Sequence, residues 1–307
     1  MEVGMTVSVR RETVRFASGS TECAALHYPG TNGGCVIMAG GTAVTKGPAS
    51  DRFAQRFNAA GFAVLAFDFR RFGGSGGSPR QVVDIGEQLA DWQAAIGFAA
   101  ALPDVDPAAV SLWGFSLAGG EVFEVAAANP QLASVIAQTP LADGRAAAPN
   151  ALRNMTLPAL LRLTGLAVAD GLGALIGREP LLVPAAGHRG EVASLTTPDA
   201  MDGTRALDPD GVHTDWDQRV AARIALQVGF YRPGLKADQV TCPLLVLVCD
   251  QDQSVLTEPG VQAAGRAPRG EVVRVSGRHY APFLESHEQA VEAELSFLLR
   301  HLPEPTA

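Results

Sequence analysis

The 307-residue sequence predicts an α/β fold: a mostly parallel eight-stranded sheet, helices on both faces, and a helical lid inserted near the C-terminal edge of the strands. Three observations carry this expectation. Short apolar runs alternate with stretches of helical spacing, as in successive βαβ units. A serine flanked by small residues stands where one apolar run passes directly into a helix. The alternation then stops over residues 141–240 and resumes afterwards.

Residues 6–17 and 22–28 alternate polar and apolar side chains, the pattern of an antiparallel edge ribbon with one solvated face. Residues 35–39 are continuously apolar, as a strand covered on both sides must be, and 63–68, 109–114 and 134–139 repeat that character. Between them, residues 50–60, 81–101 and 117–128 space their apolar positions to lie on one side of a helix. After Pro140 the chain is rich in Gly, Pro, Leu and Ala, with helical spacing at 151–163 and 219–227. Strand and helix then alternate again at 243–250, 258–265, 271–276 and 286–302. Residues 1–140 and 241–307 are thus expected to form the sheet domain, with 141–240 as the lid over the strand ends where ligands bind.

Composition narrows the function. Hydrophobic residues make up 47%, enough for a sizeable core, and the net charge of −8 repels phosphate backbones and anionic lipid, so neither nucleic acid nor a membrane is an expected partner. No stretch resembles a secretion signal, and none reaches roughly 18 uncharged apolar residues. A cytoplasmic protein is expected, and a homodimer is permitted. Cys23, Cys35, Cys242 and Cys249 match no zinc spacing and read as small buried hydrophobes, so no metal is expected.

The segment Gly114-Phe115-Ser116-Leu117-Ala118 joins a predicted strand to a predicted helix and reads as a nucleophile elbow. In such a tight turn the positions two before and two after the serine must be small; Gly114 and Ala118 are. The plainer reading is an ordinary glycine-rich turn. Glu121 and Glu124, on the following helix, are expected to be solvated or locally paired.

A serine hydroxyl needs a base, and in this arrangement the acid and the histidine follow the serine in chain order. Among the late histidines, His287 and His301 fall within a terminal helix, where exposure is expected. His279 follows a strand on a loop and is the candidate base. The strand before it ends in Asp250-Gln251-Asp252-Gln253-Ser254-Val255, so two carboxylates compete. Asp252 fits an Asp-x-x-Val pattern with the valine turned inward; Asp250 remains a rival that could instead cap the loop. The oxyanion created by attack on a carbonyl needs backbone donors, for which the N–H of Leu117 and of Thr42, or alternatively Gly41, are candidates. Gly40 and Gly41 could equally serve only a tight turn.

Taken together, the strand, elbow, acid loop and histidine loop resemble the α/β-hydrolase superfamily. Residues 64–75, the elbow and 138–144 are similar to bacterial hydrolases related to dienelactone hydrolases, CocE-type esterases and fungal polyketide transferases. Two departures stand out: Gly40-Gly41 replaces a frequent His-Gly, and Tyr280 follows the histidine where Asp is frequent. The resemblance implies cofactor-independent action on a small-molecule ester, thioester or lactone. Two other outcomes stay open, namely acyl transfer or thioester cleavage in a secondary-metabolite (polyketide) pathway by the same three residues, and a silent member that only binds a small molecule. Residues 157–166 and 172–176 of the lid are expected to offer apolar surface to the substrate. Arg70 and Arg71 are expected to pair with Asp84 or Glu87 rather than with an acidic substrate.

Overall fold

The computed structural model describes residues 11–302, so positions 6–10 of the first predicted strand lie outside the described residues. The chain runs β1 (Glu12–Ser18), β2 (Thr21–Tyr28), β3 (Gly33–Ala39), α1 (Lys46–Ala59), β4 (Ala63–Phe67), α2 (Ile85–Ala99), β5 (Val105–Phe115), α3 (Leu117–Ala128) and β6 (Ser134–Gln138). A cap segment follows with α4 (Gly144–Arg153), α5 (Leu157–Leu175), β7 (Leu182–Pro184), α6 (Asp202–Leu207), β8 (Arg219–Ala221) and α7 (Ala225–Val228). The fold closes with β9 (Leu244–Cys249), α8 (Thr257–Arg266), β10 (Gly270–Val275) and α9 (His287–His301).

Eight strands form one sheet in the order β1-β2-β4-β3-β5-β6-β9-β10. From β4 to β10 all neighbours are parallel, while β1 and β2 add an antiparallel edge. The continuously apolar strands are those with helices on both sides. One face packs on α2, α3 and α8 through Trp92, Val122, Phe123 and Ala263; the other packs on α1 and α9 through Phe53, Phe57, Trp113 and Phe297. Burying both faces removes the need for alternation, and so β3, β4 and β9 read as unbroken apolar runs.

Two helix starts differ from the sequence pattern because carboxylates cap them. Helix α1 begins at Lys46, earlier than residue 50, since Asp68 beyond β4 accepts from the Lys46 N–H at 2.7 Å and pairs with its ammonium at 2.6 Å. Helix α2 begins at Ile85 with Asp84 accepting from the Glu87 N–H at 3.0 Å. Asp84 is thereby occupied as a cap, so Arg71 pairs with Glu87 at 2.7 Å, while Arg70 is held by the buried Asp91.

Pairing departs further from expectation in the cap. The predicted helix at 151–163 is split between α4 and α5, with Pro158 in the first turn of α5, where proline is tolerated but cannot continue a preceding helix. The predicted helix at 219–227 starts instead as β8, paired antiparallel with β7. There the N–H groups of Ala221 and Ala222 are committed to the carbonyls of Gln81 and Leu181, and Asp170 binds Arg223 through two side-chain contacts of 2.8 Å. These tertiary bonds outweigh helical spacing. Helix α5 is long and apolar enough, by length and composition alone, to cross a membrane, which a count of uncharged residues misses because Arg162 and Asp170 interrupt the run. Its inner face, including Ala159, Leu163, Ala167 and Asp170, is buried in the protein.

Candidate active site

Strand β5 passes into α3 through Ser116, whose φ of 59° and ψ of −113° are strained for a residue with a side chain. The surroundings hold that conformation. The Ser116 N–H donates to Gln138 O at 3.0 Å, and its carbonyl accepts from Gly120 at 3.0 Å and Leu141 at 2.9 Å. The need for small flanking residues is visible in the backbone: a Cβ on Gly114 would lie 2.4 Å from the Ala118 carbonyl oxygen. Gly114→Ala is therefore expected to destabilise by roughly 1–3 kcal/mol and to displace the serine. Gly97→Ala is the control, because a Cβ there meets nothing within 4 Å on a helix where alanine is favoured. Thermal unfolding of both variants checks the contrast.

Parallel pairing of β9 with β10 sets the loops after the two strands side by side. One carries Asp252, the other His279. The His279 ring is buried with Nε2 3.0 Å from Ser116 Oγ and Nδ1 2.7 Å from Asp252 Oδ2. The second oxygen of Asp252 accepts from the N–H groups of Ser254 at 2.9 Å and Val255 at 3.0 Å, which fixes the carboxylate. Val255 is turned inward and buried. Asp250 is exposed and accepts from the Gly277 N–H at 2.9 Å, tying the two loops together on the outside. Burial of the imidazole alone would lower its pKa, but the charge and hydrogen bond of Asp252, with a further contribution from Asp199, raise it above the ordinary value.

The other late histidines are elsewhere. His287 is buried, contrary to the expected exposure, because its Nδ1 meets Pro282 O at 2.9 Å and its ring packs edge-on against Phe53. His301 is half-buried beside Phe297. Glu121 also departs from expectation: it is fully buried, accepts from Trp92 Nε1 at 3.0 Å, and burial pushes its pKa well above the ordinary value.

Gly41, Thr42 and Leu117 line the cavity at the serine. A Cβ on Gly41 would stand 2.8 Å from Ser116 Cβ, so this glycine permits close approach, whereas Gly40 serves the turn, where a Cβ would meet Val44 O at 2.7 Å. Among the described residues, the N–H groups of Thr42 and Leu117 donate to no protein acceptor.

The cavity above Ser116 holds about 300 Å³. Its cap wall comes from Ala185, Leu195, Met201, Leu207, Trp216 and Ile224. Residues 157–166 and 172–176, expected to face substrate, do not line it. Helix α5 buries Ala159, Leu163, Ala167 and Gly173 against the protein and turns most of its other leucines out, leaving Leu157 67% and Leu175 82% exposed. Among the described residues no group of three or more His, Cys, Asp or Glu could hold a metal ion. The four cysteines are free and buried, and burial pushes the Cys242 thiol up to about 11.

Two cap residues at the site escape sequence reasoning. Trp216 donates from Nε1 to Ala43 O at 2.6 Å, joining the cap to the loop after β3. Asp199 is fully buried and reaches the acid loop. Neither follows a strand or repeats a spacing, so no local signal marks them.

A profile described as the alpha/beta hydrolase family matches residues 38–294. The quorum-quenching protein AidA of Acinetobacter baumannii is 37% identical over 294 residues, covering 94% of this chain and 95% of the relative. Thiohydrolase aneE of Aspergillus aculeatus is 34% identical over 118 residues, covering 38% of this chain and 37% of the relative. Among solved structures, the alpha/beta hydrolase GrgF from Penicillium superposes with a TM-score of 0.80 at 22% identity, covering 95% of this chain and 99% of that one, which shows a shared fold. With most of its length inside the family profile and a relative matched nearly end to end, this chain belongs to the alpha/beta hydrolase family.

Proposed function

We propose that the protein is a serine hydrolase that cleaves a small carboxylester, thioester or lactone through an acyl-enzyme on Ser116. The observation that carries this reading is the unbroken contact from Ser116 Oγ through the His279 ring to Asp252, with separations of 3.0 and 2.7 Å, at the floor of a largely apolar cavity. Ser116 Oγ attacks the carbonyl carbon as its proton passes to His279 Nε2. The imidazolium so formed is stabilised by Asp252, which also keeps the proton on Nδ1. The oxyanion meets the N–H groups of Leu117 and Thr42, with the α3 dipole favouring negative charge. Collapse breaks the bond to the leaving oxygen or sulfur, which takes the proton from Nε2. Water then attacks the acyl-enzyme, giving one proton to His279, and the acid is released as Ser116 recovers it.

The relative named as a thiohydrolase supports including thioesters with simple esters. Covalent labelling with a fluorophosphonate followed by peptide mapping tests the reading. Modification of Ser116, lost in His279→Ala, is expected, together with turnover of at least one member of a panel of p-nitrophenyl esters, acyl thioesters and lactones. A label on a different serine, or none at all, would overturn it.

A further inference from the structure

We infer that Asp199, supplied by the cap, is a positioning residue that locks the loop bearing Asp252 to the loop bearing His279. The inference rests on the hydrolase reading above and adds a fourth member to its machinery. Asp199 lies just before α6 and is fully buried. One carboxylate oxygen accepts from the Gln253 N–H at 2.9 Å and lies 3.5 Å from the His279 backbone nitrogen. The other accepts from the Ser254 hydroxyl at 2.8 Å, and that hydroxyl is also 3.0 Å from Thr197 Oγ1. Ser254 thus has two anchors, since its N–H holds Asp252 while its side chain is held by Asp199.

A role in packing alone does not explain a carboxylate here. Among the described residues no lysine or arginine forms an ion pair with Asp199, and an unpaired buried charge is costly even though both its oxygens accept hydrogen bonds, where an asparagine would accept on one side only. The cation that offsets it is the imidazolium of His279, which forms when the ring takes the proton from Ser116 and, in the resting protein, when the pH falls below the ring's raised pKa. Although burial would raise the Asp199 pKa, the His279 charge and the hydrogen bonds from Gln253 and Ser254 hold it below the ordinary value. Among the described residues, the remaining titratable groups around His279 are Asp252 from the β9 loop, the half-buried Tyr280, the buried Cys249, and the Asp202–Arg278 pair at 3.8 Å beyond Tyr280. Among the described residues, Asp252 and Asp199 are the groups that raise the ring's pKa. The cap therefore takes part in the chemistry as well as roofing the cavity.

Asp199→Asn tests this through the pH profile of kcat/KM, with thermal unfolding to verify the fold. The general base works only when neutral, so the acidic limb reports His279, and removing a nearby negative charge lowers that pKa. The limb is expected to move to lower pH by about one unit, and the plateau kcat to fall roughly ten- to a hundredfold, with Asp199→Glu recovering part of both. A folded Asp199→Asn protein whose limb stays in place would overturn the inference even if kcat fell. Should that variant not fold, Asp199→Ser gives the same comparison, and failure of both neutral variants to fold would mark the residue as structural and also overturn it. If the wild-type protein itself takes no fluorophosphonate on Ser116, it is the hydrolase reading that fails, and the inference falls with it.

Discussion

His279→Ala is expected to lower kcat by on the order of 10⁶-fold, because the serine hydroxyl then has no group to take its proton at neutral pH. Asp252→Asn is expected to cost on the order of 10⁴-fold: the ring stays in place but the tautomer and the imidazolium lose their support. That loss corresponds to roughly 5 kcal/mol of transition-state stabilisation. Asp250→Asn should stay within a few-fold of wild type, since Asp250 is exposed and its side chain accepts from Gly277, away from the ring. The two aspartates stand only two positions apart, so the contrast isolates orientation from local charge. Combining His279→Ala with Asp252→Asn should add little to the first loss, because groups acting as one unit do not contribute additively. Michaelis–Menten kinetics on a substrate turned over by wild type checks the series. An inactive Asp250→Asn beside an active Asp252→Asn would exchange the roles assigned to the two carboxylates.

The elements that position these groups were legible where one physical requirement dominates. Strands buried on both faces must be largely apolar, and β3, β4 and β9 satisfy that throughout in the bare sequence, β6 in its central three residues. The elbow is similarly local, because Gly114 and Ala118 are needed by the turn that contains them. The cap follows no such rule. Its outer face spends large leucines on solvent-exposed positions of α5 while its wall on the cavity is assembled from short loops, so apolar content points to the wrong residues. Residues 219–221 carry helical spacing but become a strand through bonds to Gln81 and to β7, which a window of neighbouring residues does not contain. Asp199 belongs to the same class: its meaning comes from Gln253, Ser254 and His279, more than fifty positions away.

Glu294 is another carboxylate whose environment only the fold reveals, and it makes stability depend on pH. On α9, where charge would ordinarily be solvated, it is fully buried and accepts from Trp113 Nε1 at 2.9 Å, with its other oxygen unpartnered among the described residues. Burial pushes its pKa up to about 8. In the unfolded chain it returns to about 4.3. Between these values the native state holds a proton that the unfolded state has released, so stability is greatest below the lower value and falls as pH rises through the upper one. At about 1.4 kcal/mol per unit, the loss is roughly 4–5 kcal/mol. Glu294→Gln keeps the acceptor for Trp113 and is neutral throughout. It should match wild type near pH 4.5 and exceed it by several kcal/mol at pH 9, measured by urea unfolding at each pH. His279, whose pKa is also raised in the fold, contributes a fall in the same direction, but it is present in both proteins and cancels in the difference, as does Glu121. Parallel stability curves for the two proteins would mean that Glu294 stays ionised in the core, a state that the single indole donor is too weak to support.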